Sequence, residues 1–392
     1  MPQEKLLILD DDPSICESLR MISESCGYQA IAVNTIEKFH EQYAHLKPNL
    51  ITLDLNLGEN DGVELLRWLA KNNSPAKIIL ISGYDGKILH SAQLLGRSLD
   101  LNIITALHKP IDIKNLKSIL LANKADFTEI SRESFTHAIK NENFILYYQP
   151  KINIKTQKLI GIEALLRWEL KKDKVIYPNS FIEFAENNDL IEALSSFVNH
   201  LAIHQCAELQ KQGLDIQMSI NISPKLLKNL LLPDELFDIA KQYHCDPAKI
   251  CLEITETAAV EFDSPHYLDI LTRFRIKGFS VSIDDFGTGY STLIELHRTP
   301  CNEIKIDKSF VLKLKRDTPD YIIARAVINL GHDFGLKVVA EGIESSESFE
   351  ILKELGCDVG QGYYIAHPMP IDQFLLWVKE NVDSALIVKL KN

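Results

Sequence analysis

Two groups of polar residues stand where short apolar runs of this 392-residue sequence end. The first is Asp10-Asp11 after KLLIL, Asp54 after LITL, Ser82 after KIILI, and Lys109-Pro110 after the run that closes in LH. Three carboxylates brought to one place repel unless a divalent cation sits among them. An Asp beside bound Mg²⁺ is a candidate phosphoryl acceptor, and a hydroxyl and a lysine can hold the phosphoryl oxygens. A single strand-end Asp is more often a helix cap. A cap, however, needs no acidic pair, lone Asp, Ser and Lys-Pro on separate runs. The second group is Glu163, Asn221, Glu253, Asp284-Asp285, Lys305, Glu341 and Gln361, reached in steps of 58, 32, 31, 21, 36 and 20 residues. Five or more oxygen ligands around one opening make a hard-metal site. Consecutive aspartates can face two ions, and a pair of divalent ions about 4 Å apart suits phosphodiester hydrolysis. The sequence has neither HExxH nor CxxC, which argues against zinc.

The elements that must position these groups alternate. Residues 5–9, 29–33, 50–53, 77–81 and 102–107 read as buried parallel strands, with helical patterns between them. That is a doubly wound five-stranded parallel sheet, with its polar residues at the carboxyl edge. Further strands are expected at 144–149, 160–166, 216–221, 250–254, 279–284, 303–306, 336–340 and about 358–363. Eight strands with interleaved helices in about 250 residues fit a modified (β/α)8, TIM-like barrel, whose chemistry lies at the carboxyl ends of its strands. Only NIKTQK separates the first two strands, too little for a crossover helix, so the first strand is expected to be antiparallel. The expected domains are 1–122 and 134–392, with a polar linker at 123–133.

Composition narrows the function. Lys and Arg number 42 against 54 Asp and Glu, a formal net charge of -12, which argues against direct DNA binding. Seven scattered cysteines fit reduced thiols and a cytoplasmic protein. The start, MPQEKLLILDDD, is not expected to be a signal peptide, and no run reaches the 18 apolar residues of a span, so no membrane insertion is expected.

The motifs LLILDDDP, LDLNLGENDG, ISG and HKP resemble the receiver domain of two-component response regulators. The resemblance implies that Asp10, Asp11 and Asp54 hold Mg²⁺, with Asp54 the phosphoacceptor, Ser82 the switch hydroxyl and Lys109 the phosphate-contacting lysine. It also implies a cognate sensor histidine kinase. Two positions depart from the pattern: Gly58 replaces a customary Pro, and Ala106 replaces the aromatic that turns inward on activation.

IEALLRW, SINIS, LEITE, SIDDFGTGYS, EIKIDKSF, VVAEGIE and QGYY resemble, in order, the motifs of EAL domains, phosphodiesterases specific for cyclic di-GMP. Carried over by motif, Glu163, Asn221, Glu253 and Asp284 resemble ligands of a first Mg²⁺ or Mn²⁺, and Asp285 the side of a second. Lys305 resembles the lysine that orients the attacking water or steadies a phosphoryl oxygen. Glu341 resembles a glutamate assigned as general base or second-metal ligand. Gln149, Arg167 and Gln361 resemble substrate-binding residues, with Arg167 gripping a phosphate. Glu256 resembles the anchor of the loop at 286–291. Ala366-His367-Pro368 lacks a basic residue that many relatives carry there. The expectation is a response regulator that hydrolyses cyclic di-GMP to linear pGpG under receiver control, as a homodimer or higher homo-oligomer, with stimulation the expected direction. The competing reading is a catalytically silent cyclic di-GMP-binding protein.

Overall fold

KLLIL forms β1 (Lys5–Leu9), with Leu6 to Leu9 fully buried because helices cover both faces of a central parallel strand. The computed structural model describes residues 4–58, 60–83, 86–99, 101–123, 130–171, 174–256, 265–288 and 293–381. It divides into two compact units, Met1–Thr128 and Glu129–Asn392. Residues 124–129 of the expected linker and the tail from 382 lie outside the described residues.

In the first unit β2 (Gln29–Val33), β3 (Leu50–Asp54), β6 (Lys77–Ser82) and β7 (Ile103–His108) join β1 in one parallel sheet, ordered β2-β1-β3-β6-β7. A short antiparallel ribbon, β4 (Asn56–Leu57) with β5 (Asn60–Asp61), follows β3 and was not foreseen. The strand order reverses between β1 and β3, and side chains at their carboxyl ends face that crevice. Asp12 starts the helix Pro13–Ser25 by accepting from Ser14 N at 2.8 Å, which leaves Asp10 and Asp11 outside the capping role.

The second unit is the expected barrel. β8 (Phe144–Asn153) runs antiparallel to β9 (Leu159–Lys171) and to β16 (Val359–Gly360), and so closes the ring. From β9 the order continues in parallel through β11 (Gln217–Asn221), β12 (Ile250–Thr255), β13 (Ser280–Phe286), β14 (Glu303–Ile306) and β15 (Lys337–Ala340) to β16. An additional strand, β10 (Lys174–Ile176), folds back on β9 before the long excursion that precedes β11. The final strand holds two residues where about six were expected. Beyond it Gly362 packs so closely on Ile343 that a Cβ there would sit 2.2 Å from backbone atoms, so a bare backbone is required next to Gln361.

The apolar packing lies between strands and helices. Phe135, on the helix Arg132–Lys140, is fully buried with ring centroids 5.1 Å from Phe144 and 5.3 Å from Trp168. This aromatic group ties that helix to the barrel. The inside of the barrel differs: alternation points Glu163, Ser219, Glu253, Ser282, Asp284 and Lys305 into it.

Candidate functional site

At the carboxyl edge of the five-stranded sheet, Lys109 lies 2.5 Å from Asp54 Oδ2 and 2.8 Å from Asp10 Oδ2. Burial opposes the charge on Lys109, but the two carboxylates outweigh it and raise its pKa. Burial also raises the Asp10 carboxyl. Asp10, Asp11 and Asp54 each offer an oxygen within 4.8 Å of the others. These hard donors, with one lysine among them, fit a divalent cation such as Mg²⁺. Ser82 is fully buried at the end of β6, beside Asp54 on β3, where Leu55 N donates to Ile81 O at 3.0 Å. All five expected receiver residues therefore share one edge.

In the barrel, Lys305 is completely buried among the acids. Its Nζ lies 2.5 Å from Glu341 Oε1, 2.6 Å from Glu253 Oε2, 3.1 Å from Asp284 Oδ2 and 3.9 Å from Glu163 Oε2. Burial works against its charge, but these acids override that and raise its pKa. Glu163 is gripped by two amides, Asn221 at 2.8 Å and Gln361 at 2.6 Å. Asp284, Asp285 and Glu341 bring oxygens within 4.8 Å of one another. Burial, with repulsion from neighbouring acids, pushes Glu341 up to about 8 and Asp285 up to about 7. Such a group of oxygen donors, short of positive charge, fits Mg²⁺ or Mn²⁺.

Backbone geometry helps aim the aspartate pair. Asp285 sits at φ 56°, in the left-handed region, where Asp is tolerated better than most residues. Asp284 Oδ1 accepts from Asp285 N at 2.9 Å. Glu256 Oε2 accepts from Gly287 N at 2.9 Å, and Gly287 has φ 100°. The expected anchor therefore touches the start of its loop, of which 289–291 lie outside the described residues.

Arg167 is buried, with its guanidinium 4.9 Å from the Tyr177 ring and 5.4 Å from the Tyr147 ring. Burial lowers its pKa. Its Nη1 donates to Leu166 O at 2.7 Å, and among the described residues no acid forms an ion pair with it, which leaves its charge and remaining N–H groups to an anionic ligand. Gln149, expected to be a substrate-binding residue, lies next to Gln361 and opposite Glu163. It is buried, accepts from Gln361 Nε2 at 2.9 Å and donates to Ala366 O at 3.1 Å. Strand alternation turns it inward there.

Two residues escaped the sequence reading. Asp307, two after Lys305 in KID, is buried, and its negative charge adds to burial and Asp284 in holding the Asp285 carboxyl up. Lys151, two after Gln149, is buried with its Nζ 2.5 Å from Glu253 Oε1. Burial would raise the Glu253 carboxyl, but Lys151 and Lys305 together bring it down to about 2. For Asp307 the available signal was the i, i+2 spacing from Lys305, already placed at the site by the sequence.

A parallel receiver sheet with an acidic pocket, and a closed barrel with an acid-ringed mouth, define a response regulator whose second domain is of the EAL class. Residues 132–368 match the EAL domain and 6–121 the response regulator receiver domain, so the chain belongs to the EAL family and carries a receiver ahead of it. Its likeness to the cyclic di-GMP phosphodiesterase RocR of Pseudomonas aeruginosa includes both domains: 30% identity over 366 residues, covering 90% of this chain and 88% of RocR. The bifunctional diguanylate cyclase/cyclic di-GMP phosphodiesterase MucR of the same organism is 36% identical over 239 residues, 61% of this chain but only 35% of MucR. The solved structure "PaMucR Phosphodiesterase, c-di-GMP complex" superposes with a TM-score of 0.59 at 35% identity, covering 62% of this chain and 98% of that one. Among the described residues, no helix is long and apolar enough to cross a membrane.

Proposed function

We propose that the barrel hydrolyses cyclic di-GMP to linear pGpG and that phosphorylation of Asp54 controls the rate. The observation that carries this reading is the convergence of Glu163, Asn221, Glu253, Asp284, Asp285, Lys305, Glu341 and Gln361 on one barrel mouth, with no expected acid missing. Glu163, Asn221, Glu253, Asp284 and Asp285 are the residues that would hold two Mg²⁺ or Mn²⁺ ions. When bound, the ions supply positive charge that polarises water and stabilises the developing phosphorane.

The residues of the chain do the rest. Arg167 binds a substrate phosphate, and the buried Gln149–Gln361 pair holds Glu163 in orientation. Glu341, 2.5 Å from Lys305, is placed to take a proton from the attacking water. The water oxygen bonds to phosphorus, the P–O3′ bond breaks, and the leaving oxygen is protonated as the 3′ hydroxyl. The other phosphodiester stays intact, so the product is linear with a 5′ phosphate. In the receiver, Asp10, Asp11 and Asp54 would hold Mg²⁺, Ser82 and Lys109 would contact the phosphoryl group, and a sensor histidine kinase would supply it. Seven cysteines without a disulfide support a cytoplasmic setting.

The test is to incubate the purified protein with cyclic di-GMP and identify the products by chromatography and mass spectrometry. Hydrolysis should require Mg²⁺ or Mn²⁺ and stop in excess chelator. Ca²⁺ should inhibit, because its larger radius and looser coordination misplace the reacting groups. Turnover that persists undiminished in chelator would defeat the metal reading.

The active species is proposed to be a homodimer formed through a barrel face near the Phe286–Gly287 turn. Glu256 supports this, because its bond to Gly287 N connects the turn after the aspartate pair to a neighbouring strand end. Light scattering at assay concentration should give at least twice the chain mass, and a fully active monomer would refute it.

A further inference from the structure

Below the acids at the barrel mouth lies a buried cation that the hydrolytic steps do not use. Lys151 Nζ is 2.5 Å from Glu253 Oε1, 2.8 Å from Ser219 Oγ and 3.8 Å from Glu303 Oε1, and its side chain is only 6% exposed. Lys305 takes the other Glu253 oxygen at 2.6 Å. Glu253 is thus clamped between two lysines, one in the layer of the acids and one in the layer beneath.

The two lysines are not equivalent. Lys305 stands among four carboxylates, so its contacts can be redistributed when other cations enter. Lys151 faces the opposite end of the barrel. It borders a cavity of about 250 Å³ with Gly161, Gln217, Lys249 and Lys337, residues at or near the amino-terminal ends of β9, β11, β12 and β15. Its bond to Glu253 therefore lies on the far side of that carboxylate from Glu341 and the aspartate pair.

We infer that Lys151 is a positioning residue that ties down Glu253 Oε1 and so leaves Glu253 a single oxygen, Oε2, for a divalent cation. This rests on the metal-dependent reading above. A charge-assisted hydrogen bond inside a protein fixes a carboxylate's rotation strongly. One oxygen per carboxylate suits the strict octahedral geometry of Mg²⁺, whereas two-oxygen chelation suits the larger and more permissive Ca²⁺. Lys151 thereby favours Mg²⁺ and Mn²⁺ over Ca²⁺ without touching substrate. The cavity beneath it gives a shorter or uncharged side chain room without overpacking.

The test uses the full chain as wild type, Lys151→Met and Ser219→Ala, with folding checked by circular dichroism. Mn²⁺ binding is followed by electron paramagnetic resonance, without substrate, and then with competing Ca²⁺. The receiver's cation site is unaltered in all three proteins and serves as the internal reference. Lys151→Met should weaken the barrel class of Mn²⁺ binding by about 10–100-fold, in the range seen when an outer-shell partner is removed. Ca²⁺ should compete more effectively than in wild type, and KM for cyclic di-GMP at saturating Mn²⁺ should stay unchanged. Ser219→Ala, which removes only a partner of Lys151, should shift both metal readouts the same way to a smaller extent. Absence of a barrel class in wild type would overturn the metal reading itself. Wild-type affinity and Ca²⁺ competition in a folded Lys151→Met protein would overturn this inference alone. If Lys151→Met fails to fold, unchanged metal readouts in Ser219→Ala overturn it.

Discussion

Asp284→Asn is expected to lower cyclic di-GMP turnover by about 100-fold or more while the barrel stays folded. Asparagine keeps the shape of the side chain, and its amide oxygen can still accept from Asp285 N, now 2.9 Å away. What it loses is the charge that faces Lys305 at 3.1 Å and lies beside Asp285 and Glu341. A cation held by these donors loses an anionic ligand. The same charge contributes to raising the carboxyl groups of Asp285 and Glu341. An acid whose folded pKa is raised disfavours the folded state as pH rises above its unfolded value. Relieving that repulsion means the metal-free variant should melt no lower than wild type at neutral pH. Steady-state product analysis and a thermal melt check both halves. A near-wild-type rate at saturating Mn²⁺ would remove Asp284 from the metal site. A large fall in melting temperature would mean the rate loss reported unfolding.

Asp54→Asn is expected to abolish phosphoryl uptake and, with it, any response of the hydrolysis rate to acetyl phosphate or beryllofluoride. Asp54 is buried, with Oδ2 2.5 Å from Lys109 and Oδ1 accepting from Asn56 N at 2.9 Å. A phosphoryl group there adds about -1.5 to -2 charges. Lys109 and a cation can meet that charge, and Ser82 on the adjoining strand can draw its loop toward it. Ala106, on β7 opposite Leu80, is too small to fill the space an aromatic would take. The change is therefore expected to travel through loop movement at β6 and β7, with a coupling on the order of 1–3 kcal/mol and stimulation as the expected sign. Mass spectrometry of the intact chain measures uptake, and parallel rate assays measure the response. Uptake in the Asn variant would displace Asp54 as acceptor. Uptake in wild type without a rate change would assign the phosphorylated face to a partner.

The sequence made the skeleton of both sites legible because strand ends announce themselves. An apolar run that stops at an acid identifies both the strand and the residue near its carboxyl end, as at Leu53-Asp54 and Ala340-Glu341, and at Ile283-Asp284, where the strand runs on to Phe286. The antiparallel β8 was readable from a connection too short for a helix. Lys151 was hidden because a lysine near a strand end reads as solvated, and the acid that holds it lies 102 residues away. Asp307 was hidden because it also accepts from Ser309 N at 2.9 Å, the work of an ordinary cap. The two-residue β16 could not be bounded, since the close packing at Gly362 comes from Ile343 rather than from any local propensity.

The separation of apolar packing outside the barrel from charge inside it also bears on how such a protein can change over generations. Phe135, Phe144 and Trp168 pack on one another through their rings, away from the inward-facing side of the strands, and hold the fold. Drift that erases an acid crowded by other acids, such as Asp285, therefore meets little resistance from folding, whereas loss of Glu253 would strand two buried lysines. A descendant could lose catalysis in one step and still be expressed, inherited and recruited as a nucleotide sensor. For such crowded acids, selection on the proposed reaction rather than on the fold would be what keeps them in place.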